Sequence, residues 1–242
     1  MHNFKNKKFW ILLPTFLVAE LCLWFVILFC PHSALGLSIS CFSAVALAFV
    51  FALCFIKKDT GVFLLISGLL FTVCADIFLV LPQDLQYKQQ VAGMVFFSVT
   101  QLVYFAYLFW KTESKKMRIA HSIIRGTAVV IAEIVMLIVL GKNTDVLSVL
   151  SLFYIANLAV SVVFAYMQGK KSLLFAIGLT LFLCCDLFVG FSIAIGEYIQ
   201  VAETSLLYKI IHADFNFVWF FYLPSQACIA SYTALQNEKL RV

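Results

Sequence analysis

The chain has 242 residues, of which 64% are hydrophobic and 12% are charged, with a formal net charge of +5. That charged share is roughly half the share in an average soluble domain, so the chain cannot clothe itself in polar surface, and a soluble enzyme is excluded. Basic residues are nowhere interleaved with aromatic ones in the manner of a nucleic-acid surface, so no nucleic-acid partner is expected.

A bilayer-crossing helix needs about 20 mostly apolar residues, and the sequence offers eight such spans in succession. The first, 9–30, carries Glu20 and follows Lys5, Lys7 and Lys8. A basic start is also how a signal peptide begins, but this apolar run is too long for one, and an uncleaved helix is expected. Span two is 34–56. Span three, 61–81, carries Asp76, and span four, 91–110, sets Ser98, Gln101 and Tyr104 on one face. Span five, 119–140, carries Glu133. Span six, 146–167, aligns Tyr154, Asn157 and Ser161, and span seven, 172–195, carries Asp186. Span eight, 206–232, aligns Tyr208, His212, Asn216 and Trp219 at helical spacing, with Asp214 among them and Gln226 farther on.

Short cytoplasmic loops carry an excess of Lys and Arg. With the N-terminus inside, the outer segments hold only Lys88, Lys142 and Lys209, which leaves fourteen of the 17 basic residues, Arg125 among them, for the inner side. The expected architecture is therefore an all-α polytopic membrane protein of one domain over 1–242, with eight transmembrane helices and both termini cytoplasmic. The cell membrane is the expected location and the lipid bilayer the first partner. The eight cysteines lie in or beside apolar spans without CxxC spacing and read as small buried hydrophobes. His2, His32, His121 and His212 show no ligand spacing, and neither a metal nor another cofactor is expected.

The chain matches itself at an offset of 110 residues. Gly68, Leu69, Cys74, Asp76 and Phe78 fall on Gly178, Leu179, Cys184, Asp186 and Phe188. Spans three and seven run the same way through a membrane, so the two halves, four helices each, are expected to be parallel repeats about an axis along the membrane normal. A carboxylate at the centre of a spanning helix costs about 2.5 to 3.5 kcal/mol even on the mildest scale and usually faces the bundle interior. At about 1.5 Å of rise per residue, Asp76, Glu133 and Asp186 lie roughly 21 to 23 Å from the inner ends of their helices. Gln101, Asn157, His212 and Asn216 reach similar depths. The expectation is a polar cavity with Asp76 and Asp186 as its acids, and with Gln101, Tyr104, Asn157, Tyr208, His212, Asn216 and Gln226 as its lining. Glu20, Glu133, Asn157, Asn216 and Gln226 serve equally well as interhelical hydrogen-bonding groups, and His212 and Asp214 sit where an outer mouth would solvate them.

The segments Ser67-Gly-Leu-Leu-Phe-Thr-Val-Cys-Ala-Asp76-Ile-Phe-Leu-Val-Leu-Pro82 and Gly178-Leu-Thr-Leu-Phe-Leu-Cys-Cys-Asp186-Leu-Phe resemble the two Asp-bearing helices of the YhhN-like lysoplasmalogenase family. Gln101-Leu-Val-Tyr104 and Tyr222-Leu-Pro-Ser-Gln226 extend the likeness to spans four and eight. Ala75 and Cys185 stand where that family usually has Gly or Ser, and Gln101 stands where a His is expected. The resemblance implies an eight-helix membrane hydrolase that cleaves the vinyl ether bond of a lysoplasmalogen to a fatty aldehyde and a glycerophospho-base. It implies Asp76 and Asp186 as the catalytic pair and a single-chain lysophospholipid as the substrate. Two carboxyls in one low-dielectric pocket can divide into a proton donor and an ionised partner, as in glycoside hydrolysis. Parallel repeats with acids at mid-depth are equally the marks of a proton-coupled carrier, and a catalytically silent lipid-binding protein fits the same frame.

Overall fold

A computed structural model describes residues 3–30, 33–56, 58–82, 84–197, 205–211, 213 and 215–239. The α-helices are α1 (Asn3–Phe29), α2 (Ala34–Leu53), α3 (Thr60–Leu79), α4 (Tyr87–Lys111), α5 (Lys115–Leu140), α6 (Val146–Met167), α7 (Leu173–Glu197), the short α8 (Leu206–Ile211) and α9 (Phe217–Lys239). Local chemistry sets their limits. Ser33 Oγ accepts from the Gly36 N–H at 3.1 Å, Asp59 Oδ1 from the Val62 N–H at 2.9 Å, and Asp145 Oδ1 from the Ser148 N–H at 2.8 Å, each occupying a donor the first helical turn leaves free. The Ser148 N–H also holds the Asp145 carboxyl below the usual range. Gly141 and Gly169 follow α5 and α6 at φ +52° and +76°, a left-handed backbone that ends a helix at little cost only where there is no Cβ.

Seven of these helices, from α1 to α7, are long and apolar enough to cross a membrane. Large apolar side chains stand on their outer faces, among them Trp10 and Ile138, at 69% and 77% exposure. The chain is thus a multi-pass helical protein whose outer surface suits lipid. Helix α9 is as long, at 23 residues, but more polar, because it runs through the middle of the bundle. It packs on α1, α2, α3 and α7, and Ser225, Gln226, Ser231 and Thr233 are buried on it.

The structure corrects span eight. The expected helix over 206–232 is two helices, with α9 beginning at Phe217 and running to Lys239. Tyr208 belongs to α8, whereas Asn216 precedes α9 and caps it, its Oδ1 accepting from the Trp219 N–H at 3.3 Å. No single helix face therefore joins Tyr208, His212, Asn216 and Trp219. His212 and Asp214 lie outside the described residues. Arg125 is no loop charge either: it sits ten residues into α5 and is buried.

Most contacts between elements follow the repeat, those of α9 with α1 and α3 excepted. α3 packs on α4 as α7 packs on α9; α1 on α2 as α5 on α6; α2 on α3 as α6 on α7; and α2 on α9 as α6 on α4. Gly68 and Gly178 make the close approaches: a Cβ at Gly68 would lie 2.2 Å from the Tyr104 ring, and one at Gly178 would lie 2.8 Å from Ile229. Leu79 meets Gly93 while Gly68 meets Tyr104, so α3 and α4 are antiparallel. Phe97 meets Tyr222 while Tyr107 meets Tyr232, so α4 and α9 run the same way. With α7 antiparallel to α9 by the Phe188–Phe217 and Ser172–Tyr232 contacts, α3 and α7 are parallel, as the sequence repeat demands. The register of the last pair differs from that of the first. Thr100, Gln101 and Tyr107 correspond to Ser225, Gln226 and Tyr232 at an offset of 125, because the connection from α7 to α9 is longer than that from α3 to α4.

A reporter fused after Val242 is expected to be active on the cytoplasmic side only, given the basic-residue bias. Activity confined to the outer side would reverse the topology.

Candidate active site

Asp76 sits on the buried face of α3, 1% exposed, in line with Leu65, Leu69 and Thr72 at helical spacing. The Tyr222 hydroxyl, from α9, donates to its Oδ2 at 2.8 Å. Asp186 on α7 is partly buried, and the Tyr154 hydroxyl, from α6, donates to its Oδ2. Each carboxyl of the repeat thus receives one tyrosine. The two tyrosines are held in one aromatic group: Phe97 lies 5.6 Å from Tyr154 and 6.5 Å from Tyr222 between ring centroids, and Phe182 lies 6.3 and 5.4 Å from the same two. The two carboxyls thus hang from tyrosines that share the Phe97 and Phe182 rings. The arrangement can give and take a proton in an otherwise apolar layer, with the phenols fixing the direction of each carboxyl.

The expected lining divides. Gln101 and Gln226 are fully buried, one helical turn from this aromatic group, Gln101 four residues beyond Phe97 and Gln226 four beyond Tyr222. Tyr104 is buried too, packed on Gly68 and edge-on to Phe175 at 5.5 Å. Asn157 is committed elsewhere: its Oδ1 accepts from Arg125 Nη1 at 2.7 Å and its Nδ2 donates to the Phe153 carbonyl at 2.6 Å. Asn216 lines a recess of about 240 Å³ beyond Asp186, shared with Phe188, Ser192 and Phe217, while Tyr208 on α8 is not among its walls. Glu20 is buried with its Oε1 unpartnered, and Glu133 is half-buried on peripheral α5.

Two features escaped the sequence reading. Tyr154 stands out in the sequence by its helix face and Tyr222 within a motif, but nothing there marks either as a carboxyl partner. The second is a buried cluster on the α5–α6 side. Arg125 Nη1 donates to Asn157, Nη2 donates to Ser161 Oγ at 2.8 Å and lies 3.1 Å from His121 Nε2, and the guanidinium rests 4.3 Å over the Phe105 ring. The i, i+4 pair His121 and Arg125 facing Asn157 and Ser161 was the signal for it. Neutral acceptors and an aromatic face hold this cation, a good use of a planar guanidinium.

The YhhN family model matches residues 35–233. No curated protein and no solved structure matches the chain.

Proposed function

Because the chain belongs to the YhhN family, we propose that it is an intramembrane hydrolase of lysoplasmalogenase type, with Asp76 and Asp186 as its acid pair and a single-chain lysophospholipid bearing a vinyl ether as its substrate. The observation that carries this reading is the two repeat-related carboxyls, each bound to a tyrosine of one shared aromatic group.

Vinyl ethers resist base and open by protonation at the carbon beta to oxygen. One carboxyl gives its proton to that carbon, and an oxocarbenium ion forms as the double-bond electrons make the new C–H bond. The ionised partner stabilises the cation, as carboxylate pairs do in glycoside hydrolysis. Water then bonds to the oxygen-bearing carbon and loses a proton to the carboxylate. In the hemiacetal so formed, the hydroxyl proton leaves as the C–O bond to glycerol breaks, and the glycerol oxygen is protonated in turn. One water is consumed, and a fatty aldehyde and a glycerophospho-base result. Tyr154 and Tyr222 position the two carboxyls through their hydrogen bonds. A single-chain amphiphile reaches this depth from the lipid between helices, and the partial exposure of Asp186 makes α7 the open side. Purified protein given lysoplasmalogen is expected to release aldehyde at a rate proportional to protein; no release above that of a heat-treated sample would sink this reading.

A further inference from the structure

The hydrolysis just described consumes a water, and the bundle interior holds buried polar groups that no protein atom satisfies. Gln101 is 0% exposed, and neither its Oε1 nor its Nε2 has a protein partner; Gln226 is 1% exposed, and its Oε1 has none, while its Nε2 donates to Ser225 Oγ at 3.1 Å. Ser98 Oγ, three residues before Gln101 on the same helix, is buried and unpartnered as well. Buried polar groups are almost always satisfied, by protein or by internal water. Three amide atoms left unpaired inside an apolar bundle would each forfeit the hydrogen bonds they make with water when the chain is unfolded.

These amides are not scattered. Gln101 and Gln226 occupy corresponding positions of α4 and α9, between two levels at which those helices meet. On one side Phe97 and Tyr222 are 6.5 Å apart, and on the other the Tyr107 and Tyr232 hydroxyls are hydrogen-bonded at 2.6 Å. Each amide lies about 6 Å of helix rise from the aromatic group that anchors both carboxyls. The far side is closed by Tyr107, Tyr232 and Lys111, whose Nζ also donates to Ser172 Oγ at 2.9 Å.

On the hydrolase reading above, we infer that Gln101 and Gln226 hold internal water beside the acid pair, as positioning residues that present it to the oxocarbenium carbon. An amide pair offers both donors and acceptors without titrating, so it can hold water next to an acid without competing for the proton. The water oxygen bonds to the cationic carbon, and its proton passes to the ionised carboxylate.

Two measurements test this. Replacing H₂O by H₂¹⁸O around the protein in nanodiscs is expected to shift the infrared O–H stretch of a hydrogen-bonded internal water. Gln101→Met and Gln226→Met, which keep the side-chain volume, should each abolish that band, while Tyr166→Phe on the exposed face of α6 should keep it. A band that survives both Gln changes, or that wild type lacks, overturns the water site. The second measurement adds methanol, which competes for the oxocarbenium ion and gives a mixed acetal in place of aldehyde. Each Met variant should raise the acetal-to-aldehyde ratio about tenfold through loss of positioning. An unchanged ratio with the band lost would make the water structural and overturn its catalytic role. Wild-type protein that forms neither product would sink the hydrolase reading itself, while the infrared band would still decide whether the amides hold water.

Discussion

Asp76→Asn and Asp186→Asn are each expected to lower aldehyde release by roughly 10²- to 10⁴-fold, the usual worth of general acid–base assistance. In barrier terms this is about 3 to 5 kcal/mol. Both variants should fold, because Asn keeps the shape and its carbonyl oxygen still accepts from Tyr222 or Tyr154, while the cost of burying a charge disappears. Thermal stability in detergent should hold or rise. The double variant should be little worse than either single, since the two groups act as a unit. Glu133→Gln should cost far less, for Glu133 has no counterpart in the repeat and stands on peripheral α5. An Asp→Asn protein that folds and turns over at near the wild-type rate would remove the paired-acid mechanism, and so would a Glu133→Gln variant as damaged as the aspartate ones.

Gly68→Ala is expected to be the most damaging single-methyl change in the interior. The new Cβ would lie 2.2 Å from Cε1 of Tyr104, a ring with 0% exposure that is wedged against Phe175 and cannot swing aside. Overpacking of this kind costs about 1 to 3 kcal/mol, because α3 and α4 must separate or Tyr104 must leave its rotamer. Gly61 looks equally tight, with Trp110 at 2.4 Å, but Trp110 is 49% exposed and can turn outward. Gly126 has open space around it. Thermal unfolding in detergent should therefore rank the Ala variants Gly68, Gly61, Gly126 from most to least damaged. Equal losses at Gly68 and Gly126 would show that close α3–α4 packing does not hold the bundle together.

Seven spans and the repeat-related acids were legible because each rests on a strong local signal: a long apolar run, or a carboxylate where carboxylates are costly. The break in the eighth span was hidden, since residues 206–216 contain neither Gly nor Pro and Tyr208, His212 and Asn216 recur at helical spacing. Its one sign was Asn216 three residues before Trp219, the spacing of an N-cap. The likeness of α4 to α9 was hidden for a different reason. A comparison at a single offset cannot see it, because the longer α7–α9 connection moves the match from 110 to 125, so Gln101 and Gln226 read as two separate polar residues. The tyrosine partners of the acids were out of reach because hydrogen bonds between α3 and α9, or α6 and α7, depend on helix rotation, which an apolar sequence specifies weakly. Asn157 shows the converse: its depth and face suggested a cavity wall, and Arg125, masked by its nearness to the basic loop, uses the amide instead.

The polarity of α9 bears on how the chain enters the membrane. Seven helices are apolar enough to partition into lipid singly, but α9 carries Ser225, Gln226, Ser231 and Thr233 on faces that in the finished bundle meet other helices. Released alone into hydrocarbon, Ser225 and Thr233 would keep the Tyr222 and Ile229 carbonyls of their own helix, but the amide of Gln226 and the hydroxyl of Ser231 would face lipid, where a polar group is costly. Insertion of α9 must then be cooperative: it waits until α7 and the α1–α3 group offer it a protein surface, and the two halves of the repeat, though alike in plan, are assembled by different routes.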